Sequence, residues 1–263
     1  MAITVRQAMA TPGLRGLVRG YQQRSGTLAG AGIVLPLPAR PNSFIEFYFA
    51  EPYRARSGSS GFATTPDMMV VGAMTGRHTD LLMQGDVGAF NIQFEASGLE
   101  RLLGTPMIDE AAPAGAVDTA LHGLRDAVLC AGDFEGRIAA AERWLAAQLD
   151  SVRRYDGVDH AARLLRRARG TLGLDALATA SGLGRRQLQR RFIAQVGLTP
   201  KLYARILRFD ALLAARDARP ARSWTDLAHA HGYFDQAHLQ RDFHSFAGSA
   251  PGGFATPLPI VRA

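Results

Sequence analysis

Arginine and glutamine side chains are concentrated on one face of a short segment near residue 190. On a helix they would point away from a buried face that carries Leu188 and Phe192. The side chains on the outward face are Arg185, Arg186, Gln189 and Arg190. Arginine can bind guanine O6 and N7, glutamine can bind adenine, and both can bind phosphate. The pattern therefore indicates recognition of a nucleic acid.

A second segment, about 50 residues further along the chain, presents a similar face opposite Leu239 and Phe243. The outward side chains here are Gln236, Ala237, Gln240 and Arg241. Ala237 differs from the others because it offers only a methyl group, which can contact the methyl group of thymine. A solvated charged face is the alternative interpretation for one amphipathic helix, but two matched copies favour DNA binding.

Both segments belong to an internal repeat with an offset of 50 residues, which becomes 51 after one extra residue in the second turn. Ala178 and Ala228 supply small side chains where two helices would cross. Gly182 and Gly232 follow four residues later, where a turn with positive φ is expected. Each copy therefore predicts a helix-turn-helix, at about 174–196 and 224–246, and duplication makes a chance match improbable.

The elements that must position these faces are short helices after residue 156. Apolar periodicity predicts them over 159–169, 174–181, 185–196, 199–215, 224–231 and 236–246, with a short end near Pro251. Together they form a compact all-α domain.

The first hundred residues have the alternation and the turn residues of β-structure. Strands are predicted over 32–38, 43–50, 68–74 and 90–94, with glycine-rich turns over 56–61 and 84–88. Short strands joined by such turns imply a sandwich or a barrel. Two amphipathic helices follow, one from Leu121 and one after the capping residue Asp133.

Charge is distributed unequally along the 263 residues, whose net charge is +7. From Ser151 onward there are 18 Arg and Lys against 8 Asp and Glu, whereas the first 150 residues have 12 against 15. A basic half beside an acidic half suggests nucleic acid or an anionic membrane as the partner of the basic half. Length and composition favour two domains, 1–152 and 156–257.

The region from about His160 to Phe254 resembles the AraC/XylS family of transcription regulators. The resemblance rests on GLGRRQLQRRF at 182–192, GLTP at 197–200, Tyr203, and GYFDQAHLQRDF at 232–243. It implies two helix-turn-helix units joined by one long helix, here 199–215, with recognition helices in successive major grooves. Gly184 departs from the family, which usually has serine there, so we expect weaker capping of the first recognition helix.

The family's base-contacting positions correspond to seven residues of this chain. They are Arg186, Gln189, Arg190, Gln236, Ala237, Gln240 and Arg241.

The N-terminal half resembles, more loosely, the first domain of one AraC-like subgroup. The matching features are Leu35-Pro36, Val71-Gly72 and FNIQFEASGLERLLG at 90–104. The resemblance implies a small β-barrel of the double-stranded β-helix, cupin-like type, followed by helices that dimerise in some relatives. The expected class is therefore α+β with two domains, a β-barrel with helices and then an all-α DNA-binding domain.

Phe44, Phe47 and Phe49 are candidates for the lining of a small-molecule pocket, although they could equally form the core of the barrel. We expect no metal site and no catalytic residue, because His78 is alone in the first 120 residues and a facial metal triad requires two histidines. The alternative function is a cupin-like enzyme with an ancillary DNA-binding module.

Cys130 is the single cysteine, which fits a reducing cytoplasm, and we expect it to be a buried core thiol. No apolar run is long enough for a membrane span, and no signal peptide is evident. The expected partners are double-stranded DNA, a small-molecule effector, a second copy of the chain and, for an activator, RNA polymerase. A regulator without any ligand, controlled by its own abundance, remains open, and no cofactor is expected.

Overall fold

The computed structural model describes residues 3–77, 79–113, 121–254 and 260–262, so His78 lies outside the described residues. A β-sheet with three helices forms the N-terminal part of the described chain, and short helices alone form the part from Gly157 to Ala247. The expected α+β class with a C-terminal helical region is confirmed.

The nine described strands join into one sheet in the order β8-β6-β3-β7-β2-β1-β9, with β4 and β5 attached beside β7. The strands are β1 Ile3–Met9, β2 Val18–Leu37, β3 Phe44–Tyr48, β4 Arg54–Ser57, β5 Ala63–Thr64, β6 Met68–Val71, β7 Thr79–Phe94, β8 Ala111–Pro113 and β9 Ile260–Arg262. Neighbouring strands are antiparallel, except for the parallel pair β1 and β9.

One turn expected from the sequence is absent, because the segment 84–88 lies inside the long strand β7. Gly85 has φ +60°, and a Cβ at Gly88 would collide with the Phe49 ring. The glycines therefore serve a bend and a close approach within a strand rather than a chain reversal. Two strands pair with β7 along the same edge. Its first residues pair with β4, and its last residues pair with β3.

The two faces of the sheet belong to different cores. Ile45 and Phe47 face the helices of the N-terminal part, in a core that includes Leu124 and Leu145. Phe44 and Tyr48 belong to the opposite face, in a core with Tyr53 and Met83, among others. This alternation follows from the period of two along a strand.

The helices begin and end close to the expected positions. They are α1 Gly98–Leu103, α2 Leu121–Leu129, α3 Phe134–Gln148, α4 Gly157–Arg167, α5 Leu174–Ser181, α6 Arg185–Val196, α7 Pro200–Ala218, α8 Trp224–Ala230 and α9 Gln236–Ala247, with a 3-10 turn at Pro251–Gly253. Helix α4 begins two residues early, because Asp156 and Asp159 form a reciprocal capping box. Cys130, expected to be buried, is instead exposed just beyond the end of α2.

The helical part packs directly on the sheet part. The Ala39 N–H donates to the Phe246 carbonyl at 2.8 Å, and an Arg166 guanidinium N–H donates to the Asn42 side-chain oxygen at 2.7 Å. Arg153, in the junction, binds both Glu100 of α1 and Asp159 of α4. The junction is therefore a connected set of ion pairs rather than a loose linker. In the described part of the chain no helix is long and apolar enough to cross a membrane.

Candidate nucleic-acid interface

The first repeat forms a helix-turn-helix from α5, a turn at Gly182 and α6. Gly182 has φ +67°, a left-handed conformation that favours glycine. Leu188 and Phe192 of α6 are fully buried, and the Phe192 ring lies 5.6 Å from that of Tyr203. Gly184 stands at the N-cap without a side-chain hydrogen bond, as its departure from serine led us to expect.

The second repeat forms the same arrangement from α8, a turn at Gly232 and α9. Gly232 has φ +76°, and Leu239 and Phe243 on the inner face of α9 are buried. Unlike α6, helix α9 is capped, because the Asp235 carboxylate accepts a hydrogen bond from the His238 backbone N–H at 2.6 Å. The two recognition helices therefore have equivalent cores but different N-termini.

All eight side chains expected at the DNA are exposed. They are Arg185, Arg186, Gln189 and Arg190 on α6 and Gln236, Ala237, Gln240 and Arg241 on α9. Arg185 alone among them is engaged in a described ion pair, with Asp175 of α5, and both of these side chains are about two-thirds exposed. Such an exposed pair contributes little to stability and can open towards a phosphate.

Arg191 follows this set directly but has a structural partner. Its guanidinium binds the Asp156 carboxylate at 2.5 Å, and the Gln195 side-chain N–H donates to the same carboxylate at 3.0 Å. Burial would raise the pKa of Asp156, but hydrogen bonds from Gln195 and the Val158 N–H and the nearby Arg153 charge hold it below its usual value. Helix α6 is thereby fixed to the junction through its inner side, which leaves its outer side free for a ligand.

A family model described as "Helix-turn-helix domain" matches residues 177–256, and a search of curated proteins finds no match. Residues 177–256 form an AraC-type helix-turn-helix domain. The protein is a DNA-binding transcription regulator.

Three solved structures are similar to most of this chain. A structure of ToxT from Vibrio cholerae has 8% identity, covers 88% of this chain and 96% of its own, and has a TM-score of 0.50. Another, described as unsaturated fatty acid bound wild-type ToxT from V. cholerae, has 7% identity, coverage of 95% and 92%, and a TM-score of 0.45. The AraC-like transcriptional activator CuxR has 12% identity, coverage of 77% and 88%, and a TM-score of 0.23. The TM-score of the first ToxT structure reaches 0.50. Because its sequence identity is 8%, the likeness shows a shared fold and nothing more.

A cavity of about 360 Å³ lies between the sheet and α7, the helix that joins the two units of the AraC-type domain. Leu35, Phe44, Met69 and Leu81 contribute apolar side chains from the sheet, and Leu213 contributes one from α7.

Of the three phenylalanines expected at a pocket, Phe44 lines this cavity. Phe47 is fully buried and Phe49 packs against the same core, on the helix-covered face of the sheet. Because their positions differ from 44 by odd numbers, they cannot share the face of Phe44 along a regular strand.

Charged groups also line the cavity, and sequence reasoning missed them. Arg24 pairs with Glu46, whose carboxylate also accepts a hydrogen bond from the Tyr48 hydroxyl at 2.9 Å. Arg40 lies 4.8 Å from the centre of the Phe44 ring, and its Nε is buried without a hydrogen-bond partner. Burial lowers the pKa of Arg40 to about 10, and burial raises that of Asp210, which faces the same cavity. No local sequence pattern joins these residues, since they come from β2, β3, a loop and α7.

Among the described residues, no group of three or more His, Cys, Asp or Glu side chains is placed to hold a metal ion.

Proposed function

We propose that α6 and α9 enter successive major grooves on one face of duplex DNA and read bases there. The observation that carries the proposal is the repeated helix-turn-helix whose two outer faces are both exposed and both rich in Arg and Gln. An α-helix fits the width of the major groove, and Arg and Gln match the hydrogen-bonding edges of guanine and adenine. The contacting residues we propose are the eight exposed side chains of α6 and α9 described above.

The two helices contribute differently in this proposal. Helix α6 presents three arginines, whose charge favours phosphate contacts and therefore affinity that depends on salt. Helix α9 presents Gln236, Gln240 and Arg241 behind a capped N-terminus, which favours discrimination among bases. The domain boundaries that we propose are 1–152 for the part with the sheet and 156–257 for the DNA-binding part. Val152 packs in the core of the first and Val158 in the core of the second, which supports that division.

The test is binding of the purified full-length chain to the DNA upstream of its own gene and to duplexes selected from a random library. We expect log affinity to fall linearly with log salt, with a slope of roughly −0.9 per phosphate contacted. We also expect selected duplexes to bind at least about 1,000-fold more tightly than scrambled ones. A slope near zero, or equal affinity for selected and scrambled duplexes, would contradict the proposal.

We further propose that the cavity beside α7 binds a small-molecule effector that is mainly apolar and carries a group able to accept hydrogen bonds from Arg40. The apolar lining favours hydrocarbon, and the unpartnered Nε of Arg40 provides a desolvated donor that a bound acceptor would satisfy. A molecule in this cavity would contact the sheet and the helix that joins the two recognition units. Its binding would therefore bias how the two units are seated relative to each other.

A thermal-shift screen with amphipathic acids and amides checks the effector proposal. A true effector at 100 times its Kd should add about 2.7 kcal/mol to the unfolding free energy. The variant Arg40→Met should lose most of that ligand-induced shift, whereas Arg143→Met, an exposed change on α3, should retain it. An equal shift in both variants would show that the compound binds elsewhere.

We also propose that the protein works in the cytoplasm, without catalysing a reaction, as a homodimer that contacts RNA polymerase if it activates transcription. The partly exposed Leu149, next to the end of α3, supports an interface on that helix. Light scattering of the purified chain tests the dimer, and stoichiometric iron or zinc in it would favour the enzyme alternative.

A further inference from the structure

A basic depression runs between the two helix-turn-helix units. Two adjoining cavities, of about 530 and 370 Å³, share Lys201 and Arg208 of α7 as lining residues. Gln189 of α6 also lines the first cavity, and Arg241 of α9 also lines the second. The depression, which we call the saddle, therefore extends from one recognition helix to the other, with Lys201 and Arg208 in its middle.

The floor of the saddle is one face of α7, where positions 201, 205 and 208 follow helical spacing. Arg205 is already neutralised, because its Nη2 lies 2.7 Å from a carboxylate oxygen of Asp242, whose side chain is almost completely buried. No acidic partner of Lys201 or Arg208 occurs among the described residues. The saddle therefore retains positive charge from both side chains.

Arg208 is also held in place towards the saddle. One of its terminal N–H groups donates to the Gly232 carbonyl at 3.2 Å, and its guanidinium lies 5.8 Å from the Tyr233 ring centre. Its Nε is buried and has no hydrogen-bond partner. The turn of the second unit approaches both Arg208 and Thr171, so the saddle is where the two units meet. A guanidinium positioned in this way has donors left over for an anion.

We propose that Lys201 and Arg208 bind the DNA phosphate backbone where it passes between the two major grooves read by α6 and α9. The proposal rests on the docking proposed above, because a duplex seated on both recognition helices must present backbone to the surface between them. Contacts to phosphate carry no sequence information, and each phosphate that a basic side chain neutralises adds to the salt dependence of binding. If this face of α7 contacted only solvent, Lys201 and Arg208 would add nothing to that salt dependence.

The test compares Lys201→Gln/Arg208→Gln with the matched control Arg154→Gln/Arg219→Gln, in the full-length chain. Both pairs remove two positive charges, but Arg154 lies in the domain junction and Arg219 follows the far end of α7, about 27 Å from Lys201 at the helical rise. Affinity is measured for a library-selected duplex and a scrambled duplex at several salt concentrations.

For the saddle variant, we expect the salt slope to shrink by about 1.8 for both duplexes, with the ratio of their affinities unchanged. The loss of affinity relative to the wild type should then be about twelvefold greater at 50 mM than at 200 mM salt. The control should keep the wild-type slope. A saddle variant with the wild-type slope, or one that changes the selectivity ratio instead, overturns the inference while leaving the docking of α6 and α9 in place. Failure of the wild-type chain to bind any duplex would refute the proposed docking itself.

Arg208→Gln removes a contact to the second turn, so folding needs a separate check. The single variant Lys201→Gln changes an exposed side chain and keeps that contact. It should melt like the wild type and lower the slope by about 0.9. A wild-type slope in this correctly folded variant would remove Lys201 from the proposed contacts and overturn the inference for that residue.

Discussion

Replacing Arg190 and Arg241 by alanine together should reduce affinity for a selected duplex by at least about 30-fold, because each arginine is proposed to bind base edges from a different recognition helix. A good bidentate contact to a base is worth about 1–3 kcal/mol, and contacts in separate grooves should add. Both side chains are exposed, and neither has a hydrogen bond or ion pair among the described contacts. The measurement is equilibrium binding at one fixed salt concentration.

The control for this experiment is Arg154→Ala/Arg219→Ala, which removes the same charge away from both recognition faces. We expect this control to lose less than about threefold in affinity, since the charges it removes are not proposed to touch DNA. Melting temperature should be unchanged in both double variants because the substituted side chains make no described contacts. Equal losses in the two double variants would show that net charge, rather than the two recognition helices, determines binding.

The recognition helices were predictable because the relevant information is local. Ala178, Gly182, Leu188 and Phe192 fall at helical and turn spacing within 15 residues, and the second copy repeats them. The packing that they imply is confirmed in both units. Short-range periodicity decides which face of such a helix is buried, and the exposed face follows from it.

The lining of the cavity was predicted less completely, for two different reasons. Residue type alone groups Phe44 with Phe47, although the alternation of a strand places them on opposite faces of β3. That information was present in the sequence. Arg40 and Asp210 are different, since only the packing of α7 on the sheet brings them to one cavity, and no local pattern encodes such a long-range contact.

Charge in the linking helix illustrates the same limit. Lys201, Arg205 and Arg208 are visible as a basic stripe in the sequence, but their roles depend on a partner 37 residues from Arg205. Asp242 neutralises Arg205 and leaves its two neighbours available. Arg191 lies on a recognition helix but is not available to DNA, because its guanidinium binds the carboxylate of Asp156, the capping residue of α4. Counting basic residues therefore overestimates the DNA-facing charge unless the acidic partners are known.

Replacing Phe243 by alanine should destabilise the second helix-turn-helix unit by about 3–5 kcal/mol, the usual cost of removing a buried phenylalanine ring. Its ring centre lies 5.0 Å from that of Phe209, 4.8 Å from that of Trp224 and 5.8 Å from that of Phe254. Those rings come from α7, α8 and the end of the domain. The space left by the missing Phe243 ring would therefore weaken the packing of every element that supports α9. Denaturant unfolding and DNA binding measure the two consequences.

Phe192→Ala and Ile193→Ala serve as matched comparisons for that result. Phe192 occupies the equivalent buried position in the first unit, so its loss should cost a similar amount but disturb α6. Ile193 is the next residue and is 46% exposed, so its truncation should cost less than about 1 kcal/mol. If Phe243→Ala unfolds at the same denaturant concentration as Ile193→Ala, the aromatic cluster does not support the second unit. The opposite result is that Phe243→Ala unfolds at a lower denaturant concentration than Ile193→Ala and binds DNA weakly while the first unit is still folded. That result would show that the aromatic cluster holds α9 in the position from which it contacts the groove.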